Sequence, residues 1–208
     1  MTERKQHWEN VFSTKQETEV SWYQKQPKTS IQLIQACKVA KDAKIIDIGG
    51  GDSHLIDNLL DLGYTNLFLL DISEAAINRA KIRLGERVQN VTFIVSDSLH
   101  FQSDIKFDIW HDRASFHFFT ASNEIEQYRA NVIASTTKNA HLLIGTFSEE
   151  GPLKCSGLQI TQYSIEKMEA VFGLDFQLEN CFTDDHETPF ATTQNFIFCH
   201  YNKLQHVQ

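Results

Sequence analysis

The chain has 208 residues, 41% of them hydrophobic, and its 19 basic and 27 acidic side chains give a formal net charge of −8. One domain with a single core is therefore expected, and the acidic balance, without a dense Lys and Arg cluster, argues against nucleic-acid binding. The longest wholly apolar runs, such as 67–70, are much shorter than the ~18 residues of a membrane span, so we expect a cytoplasmic protein without a membrane segment.

The first 43 residues precede the first predicted strand and are rich in aromatic side chains. Trp8, Phe12, Trp22 and Tyr23 lie in this part, and a helix is predicted over 30–41. We expect residues 1–43 to form a helical lid over the carboxyl edge of the sheet. The alternative is that these aromatic side chains simply cover the core.

From residue 44 onward, short apolar runs alternate with longer amphipathic stretches, which is typical of parallel strands covered by helices. The strands predicted here are 44–48, 66–70, 91–95, 107–111 and 140–147. The helices predicted between and after them are 53–62, 73–85 with Ser73 as N-cap, 123–136 and 164–172.

The pattern changes after Gly173. Two aromatic-rich stretches, 176–182 and 195–201, follow with no helix predicted between them, which favours an antiparallel pair. The predicted fold class is therefore α/β, with a Rossmann-like, seven-stranded, mostly parallel sheet. Helices cover both faces, and the sheet ends in the C-terminal antiparallel strand pair.

The first strand ends in a turn dense in glycine, Gly49-Gly50-Gly51, directly before a helix. Glycines let the chain reverse tightly and let a ligand lie against bare backbone, while the helix start offers N–H groups to an anion. Asp71 ends the second strand 20 residues after Gly51, where a carboxylate can accept both ribose hydroxyls. Asp97 follows the third strand. Together these features predict a nucleotide-like ligand, although each acid alone could be a helix-entry or turn residue.

A dinucleotide site would require the pattern G-x-G-x-x-G. Gly49 and Gly51 match it, but the third position is His54, whose bulk disfavours a pyrophosphate. An NAD(P)-dependent oxidoreductase therefore stays as an alternative, and so does a nucleotide-binding module without catalytic activity.

The turn resembles that of the class I S-adenosylmethionine-dependent methyltransferases, in which an acid on the first strand precedes G-x-G, as in Asp47-Ile48-Gly49-Gly50-Gly51. The resemblance spans about 8–201 and implies one methyltransferase domain over 1–208 with S-adenosylmethionine as cofactor. It implies that Asp47 and the turn hold the methionine part and that Asp71 holds the ribose. The residues that we expect at the cofactor are Trp22, Asp47, Gly49, Gly50, Gly51, Asp71, Ile72, Asp97, Ser98 and His111.

The fourth strand runs into the segment 111–118, where such enzymes gather acceptor-binding residues. Asp112 and His111 are candidates to orient or deprotonate the acceptor, and His117 is a third. The alternatives are a strand-end histidine bonded to backbone and a local ion pair between Asp112 and Arg113. The resemblance does not identify the acceptor; we expect a small molecule or a protein side chain, and a monomer or a homodimer.

The histidines and cysteines predict no metal site. None of the nine histidines lies in an H-E-x-x-H or similar spacing, and the four cysteines form no C-x-x-C pair. All four cysteines are expected to be reduced and mostly buried.

Overall fold

The computed structural model describes residues 2–205, in which helices flank a central sheet. The α-helices are α1 (Glu3–Thr14), α2 (Lys28–Ala36), α3 (Leu55–Asp61), α4 (Glu74–Leu84), α5 (Ser122–Ser135) and α6 (Ile165–Phe172). The strands are β1 (Ile45–Ile48), β2 (Leu67–Asp71), β3 (Val91–Val95), β4 (Phe107–Arg113), β5 (Thr136–Phe147), β6 (Lys154–Cys155), β7 (Leu158–Gln159), β8 (Phe176–Glu187) and β9 (Thr193–Lys203).

The main sheet has seven strands in the order β3-β2-β1-β4-β5-β9-β8. The first five are parallel to their neighbours, β9 runs antiparallel to β5, and β8 runs antiparallel to β9. This confirms the predicted α/β class, the Rossmann-like sheet and its antiparallel end. The short pair β6-β7 forms a separate two-stranded sheet in a segment that the sequence predicts as a loop.

The strand β1 lies at the centre of the sheet and is buried along its whole length. Successive side chains of a strand point to opposite faces. Accordingly, Ile45 packs in the hydrophobic cluster on one face, with Ile34 and Leu143, whereas Ile46 packs in the cluster on the other, with Trp110. The helices thus cover both faces, as the continuous apolar run predicts.

Several element bounds differ from the prediction because backbone geometry, not hydrophobicity, sets them. The helix α2 ends at Ala36 because Lys38 adopts a left-handed conformation with a φ of 52°. This conformation usually requires glycine, so the sequence has no signal for the end of the helix here. The strand β5 begins at Thr136, before its apolar run, and continues directly from α5. The strands β8 and β9 extend through polar residues as a two-stranded ribbon, whose Asp184 accepts a hydrogen bond of 2.5 Å from Thr29.

The expectation of four reduced cysteines is wrong for two of them. Cys181 on β8 and Cys199 on β9 form a disulfide, whereas Cys37 and Cys155 are free thiols. The two partners are 18 residues apart in sequence, and the antiparallel register places them directly opposite one another. The sequence predicts the two strands but not their register, so the spacing of the cysteines does not predict this disulfide.

The helix α1 lies against the N-terminal end of α4 through polar contacts. The Glu9 carboxylate accepts hydrogen bonds from Ser73 Oγ at 2.9 Å and from the backbone N–H groups of Glu74 and Ala75 at 2.9 and 3.0 Å. A carboxylate at a helix N-terminus is favoured by the unpaired N–H groups there. Arg79 of α4 in turn donates to the carbonyl oxygens at the end of α1. These contacts hold the aromatic side chains of α1 over the sheet edge.

None of the helices in the described part of the chain is both long and apolar enough to cross a membrane.

Candidate functional site

The turn that follows β1 forms the floor of a cleft at the carboxyl edge of the sheet. Gly49 and Gly51 have positive φ values of 60° and 54°. A Cβ at Gly49 would lie 2.6 Å from Ser115 Cβ, and one at Gly51 would lie 2.8 Å from Phe12 Cζ. Both the left-handed backbone and the close neighbours therefore require glycine here, and the cleft floor is bare backbone.

Two cavities meet above this floor, and they share Phe12, Trp22, Gly49 and Arg113 among their lining residues. The ten residues predicted at the cofactor all line one cavity or the other. The first cavity contains Asp71, Ile72, Asp97 and Ser98. The second contains Asp47, Gly50, Gly51 and His111, while Trp22 and Gly49 line both. The structure thus brings the predicted set together, and their binding role stays a prediction.

The carboxyl group of Asp71 lies at the end of β2 and is buried. Its Oδ1 accepts a hydrogen bond from the Ser73 N–H at 2.7 Å. Burial raises the pKa of Asp71 to about 7, although backbone N–H bonds from Ser73 and Gly51 oppose the shift. A buried carboxyl group that titrates near neutrality at a cavity wall is typical of a ligand-binding position.

The side chain of Asp47 points from β1 into the second cavity. Its Oδ1 lies 2.7 Å from His111 Nδ1, and His111 Nε2 lies 2.9 Å from Ser30 Oγ on α2. The other oxygen, Oδ2, is buried and has no hydrogen-bond partner among residues 2–205. Since buried carboxylate oxygens are normally satisfied, Asp47 presents an open acceptor for a cationic donor.

Asp97 makes the turn contact that the sequence offers as the alternative to ligand binding. Its Oδ1 accepts a hydrogen bond of 3.0 Å from the Leu99 N–H, which is an Asx turn. Its Oδ2 lies 3.5 Å from Arg4 Nη1, and Arg4 also pairs with Glu124 on α5. Asp97 therefore links α1 to the cavity wall while it lines the first cavity.

The structure places Asp112 away from both cavities, contrary to its predicted contact with the acceptor. It is fully buried and accepts hydrogen bonds from Tyr128 Oη at 2.6 Å and from the N–H groups of Ser115 and Phe116 at 3.0 and 3.1 Å. The alternative of an ion pair with Arg113 is wrong, since adjacent strand residues point to opposite faces. Asp112 fixes the turn after β4 instead.

His117, the third catalytic candidate, is also outside both cavities. It is fully buried and stacks on Phe147, with 4.5 Å between ring centroids. Burial, with a smaller effect from Arg113, lowers the pKa of His117 to about 3, so the ring is neutral at pH 7. Both ring nitrogens lack a partner within the described chain, and the ring reaches the first cavity only through its neighbour Phe118, whose centroid is 4.6 Å away.

Arg113 is a charged lining residue that the sequence did not place in the cleft. It lines both cavities, whereas the sequence suggested only a pair with Asp112. The alternation of side chains along a strand places 111 and 113 on the same face, which could have grouped Arg113 with His111.

One cluster of possible metal ligands lies outside the cleft. Ligand-type atoms of Cys37, His141 and His200 all lie within 4.8 Å of one another. His141 Nδ1 and His200 Nε2 are 2.9 Å apart, and Cys37 Sγ donates to the Leu33 carbonyl oxygen at 3.2 Å. The cluster thus has hydrogen bonds of its own, and the absence of a metal site stays a prediction.

Residues 40–194 match the family described as "Methyltransferase domain". A curated relative from Mus musculus, "eEF1A lysine and N-terminal methyltransferase", is 25% identical over 167 residues, which are 70% of this chain and 23% of the relative. "EEF1A lysine methyltransferase 2" from Danio rerio is 25% identical over 122 residues, 54% of this chain and 52% of the relative. The chain thus spans about a quarter to half the length of these relatives.

Solved structures show the same fold. The N-methyltransferase NodS from Bradyrhizobium japonicum in complex with S-adenosyl-L-homocysteine superposes with a TM-score of 0.74 at 12% identity, covering 98% of this chain and 100% of that chain. A SAM-dependent methyltransferase from Anabaena variabilis has a TM-score of 0.76 at 14% identity, covering 98% of this chain and 96% of the other.

Proposed function

The chain belongs to the methyltransferase domain family with a class I, S-adenosylmethionine-dependent fold, and from this membership we propose that it methylates an acceptor bound where the two cavities meet. The observation that carries the proposal is that all ten residues predicted at the cofactor line these joined cavities. The family match gives the class of reaction, whereas the identity of the acceptor depends on the side chains of this cleft.

The side chains of the cleft fit the cofactor. The unpartnered Oδ2 of Asp47 suits the methionine ammonium group. The bare backbone at Gly49 and Gly51 leaves room that a Cβ would fill. Asp71 would accept hydrogen bonds from the ribose, and Asp97, Ser98 and Ile72 line the part of the first cavity that would receive adenine.

The chain's own contribution is to orient the reactants and exclude water. When bound, S-adenosylmethionine supplies a methyl carbon that is activated by a sulfonium and open to in-line displacement. Orientation of two reactants can lower a barrier by roughly 7 to 11 kcal/mol in favourable cases. The aromatic cover over the cleft consists of Trp8, Phe12, Trp22 and Phe118, whose rings contact one another through Trp8 at centroid distances of 4.9 to 6.2 Å.

The predicted catalytic residues divide by position. His111 lines the second cavity, but both of its nitrogens are engaged by Asp47 and Ser30, so it would orient Asp47. Asp112 and His117 would act only through the shape of the turn after β4. Since Ser115 of this turn contacts Gly49, the turn also sets the cleft floor. We therefore propose positioning roles for all three.

The cleft favours a small acceptor over a protein side chain. The helix α1 covers it and is held by Arg4, Glu9 and Arg79, so a folded protein surface would have to displace these contacts. The curated relatives are described as eEF1A lysine and N-terminal methyltransferases, which makes a protein acceptor the second candidate.

The oxidoreductase alternative loses support from the surroundings of His54. His54 Nε2 lies 3.0 Å from the Glu17 carboxylate. A pyrophosphate at this position would need hydrogen-bond donors and would be repelled by this anion.

A methyl-transfer screen tests this proposal. The chain is incubated with S-adenosylmethionine labelled in its methyl group and with a cell extract separated by size. We expect label in the small-molecule fraction. Label found only in protein would show that the acceptor is a protein and not a small molecule. Cofactor binding without any transfer would indicate a binding module without catalytic activity.

Cofactor affinity should depend on pH through Asp71. Its pKa of about 7 belongs to the free protein, and the ionised form accepts hydrogen bonds from ribose hydroxyls better than the neutral form. Binding therefore lowers this pKa and releases a proton, so affinity falls by up to about tenfold per pH unit as the pH drops below about 7. Titration calorimetry with S-adenosylhomocysteine at about pH 6 and 8 measures this, with Asp71→Asn as the control that should lose the dependence. Equal wild-type affinity at both values contradicts it.

A further inference from the structure

Arg113 carries a buried guanidinium group whose hydrogen-bonding capacity is largely unused. Its Nη1 donates to the Trp22 carbonyl oxygen at 3.1 Å, and its Cζ lies 4.8 Å from the centroid of the Phe196 ring. The Nε and Nη2 atoms are buried and have no partner in the part of the chain that the structure describes.

This arrangement contrasts with the other arginines around the cleft. Arg4 pairs with Asp97 and Glu124, and Arg79 pairs with Asp52 at 2.8 Å. Arg113 forms no ion pair with any carboxylate among residues 2–205. Burial lowers the pKa of Arg113 to about 10, so the group remains a cation at pH 7. The charges of Asp47 and Asp184 favour this cation from a distance, but no carboxylate in the described chain bonds to it directly. A buried cation without a bonded anion is costly.

The two unused donors are on one edge of the guanidinium group. The Nε–H and Nη2–H bonds of an arginine point in the same direction, which matches the two oxygens of a carboxylate. Because Arg113 lines both cavities, a ligand carboxylate in either cavity has this guanidinium group in its wall.

We propose that Arg113 binds a carboxylate of a bound ligand at the junction of the two cavities. The inference rests on the proposed function, and two ligands could supply the group. One is the methionine carboxylate of the cofactor, because Asp47 and the glycine turn line the same cavity as Arg113. The other is an acidic acceptor, because Arg113 also lines the first cavity beside Ala114, Ser115 and Phe118.

Three variants and three probes distinguish these sources. Arg113→Gln removes the charge, and Arg113→Lys keeps it without the paired donors. Arg87→Gln is the control, because it makes the same exchange in the turn after α4, where Arg87 pairs with Asp57 and Asp61 and lines neither cavity. Calorimetry measures the affinity for S-adenosylhomocysteine and for 5′-methylthioadenosine, which lacks the carboxylate. Thermal shifts in saturating S-adenosylhomocysteine compare benzoate with benzamide.

If the cofactor supplies the carboxylate, Arg113→Gln should weaken S-adenosylhomocysteine binding at least about tenfold and leave 5′-methylthioadenosine unchanged, with Arg113→Lys between wild type and Arg113→Gln. If the acceptor supplies it, cofactor affinity stays within about twofold. Benzoate, but not benzamide, then stabilises the wild type and loses this effect in Arg113→Gln.

Two results overturn the inference. One is unchanged cofactor affinity with no benzoate effect on the wild type, which leaves Arg113 only its contacts with Trp22 and Phe196. The other is an equal loss of both adenosine ligands, which indicates general damage to the cleft. Failure of the wild type to bind either adenosine ligand would instead contradict the proposed function.

Discussion

Replacing Asp71 with Asn is expected to weaken S-adenosylhomocysteine binding by about 10- to 150-fold. The variant keeps the shape of the side chain but loses the negative charge, and a hydrogen bond to a charged group contributes roughly 1.5 to 3 kcal/mol. The asparagine oxygen can still accept the hydrogen bond that Ser73 N–H gives to Asp71 Oδ1. The asparagine amide group would instead face the Gly51 N–H, which also bonds to the Asp71 carboxylate, so we expect a loss of stability of about 1 to 2 kcal/mol that leaves the chain folded. Titration calorimetry at about pH 8 gives the affinity.

The control for this prediction is Asp104→Asn, which removes the same charge from an exposed loop position. We expect its affinity to equal that of the wild type. An unchanged affinity in Asp71→Asn would mean that the ribose lies elsewhere, whereas a large drop in melting temperature would mean that Asp71 is mainly a structural residue.

Replacing Asp112 with Ala is expected to destabilise the fold by about 3 to 5 kcal/mol. The carboxylate accepts hydrogen bonds from Tyr128 and from the N–H groups of Ser115 and Phe116, and all of these donors would be left without a partner. Each unsatisfied buried polar group costs roughly 1 to 3 kcal/mol. Denaturant unfolding with an unchanged m-value measures the loss.

Asp112→Asn separates the structural role of this residue from a catalytic one. The asparagine oxygen can still accept from the two backbone N–H groups, so we expect a smaller loss of stability, about 1 to 2 kcal/mol. Methyl transfer by the folded fraction should stay close to that of the wild type. Normal stability with abolished turnover would contradict the positioning role and restore Asp112 as a candidate for contact with the acceptor.

The part of the cleft that the sequence predicted well depends on local pattern. A buried strand, three consecutive glycines and an acid at the next strand end are neighbours in the chain or in adjacent parallel strands, and topology alone brings Gly49 and Asp71 to one edge. The fold followed from the same alternation of apolar runs and amphipathic stretches.

The part that the sequence did not predict depends on direction and register. Asp112 and Arg113 are consecutive, and only the rotation of β4 decides that Arg113 faces the cavities while Asp112 turns to Tyr128. The disulfide between Cys181 and Cys199 depends on the register of β8 against β9. The position of α1 depends on long-range contacts such as that of Glu9 with the start of α4.

The most direct test of the central claim is a crystal structure of the chain with S-adenosylhomocysteine. We predict that the ligand amino group contacts Asp47 Oδ2, the oxygen that lacks a partner, and that the ribose hydroxyls contact Asp71, with adenine between Ile72 and Asp97. Ligand bound outside these two cavities, or Asp71 turned away from the ribose, would contradict the assignment of this cleft as the cofactor site.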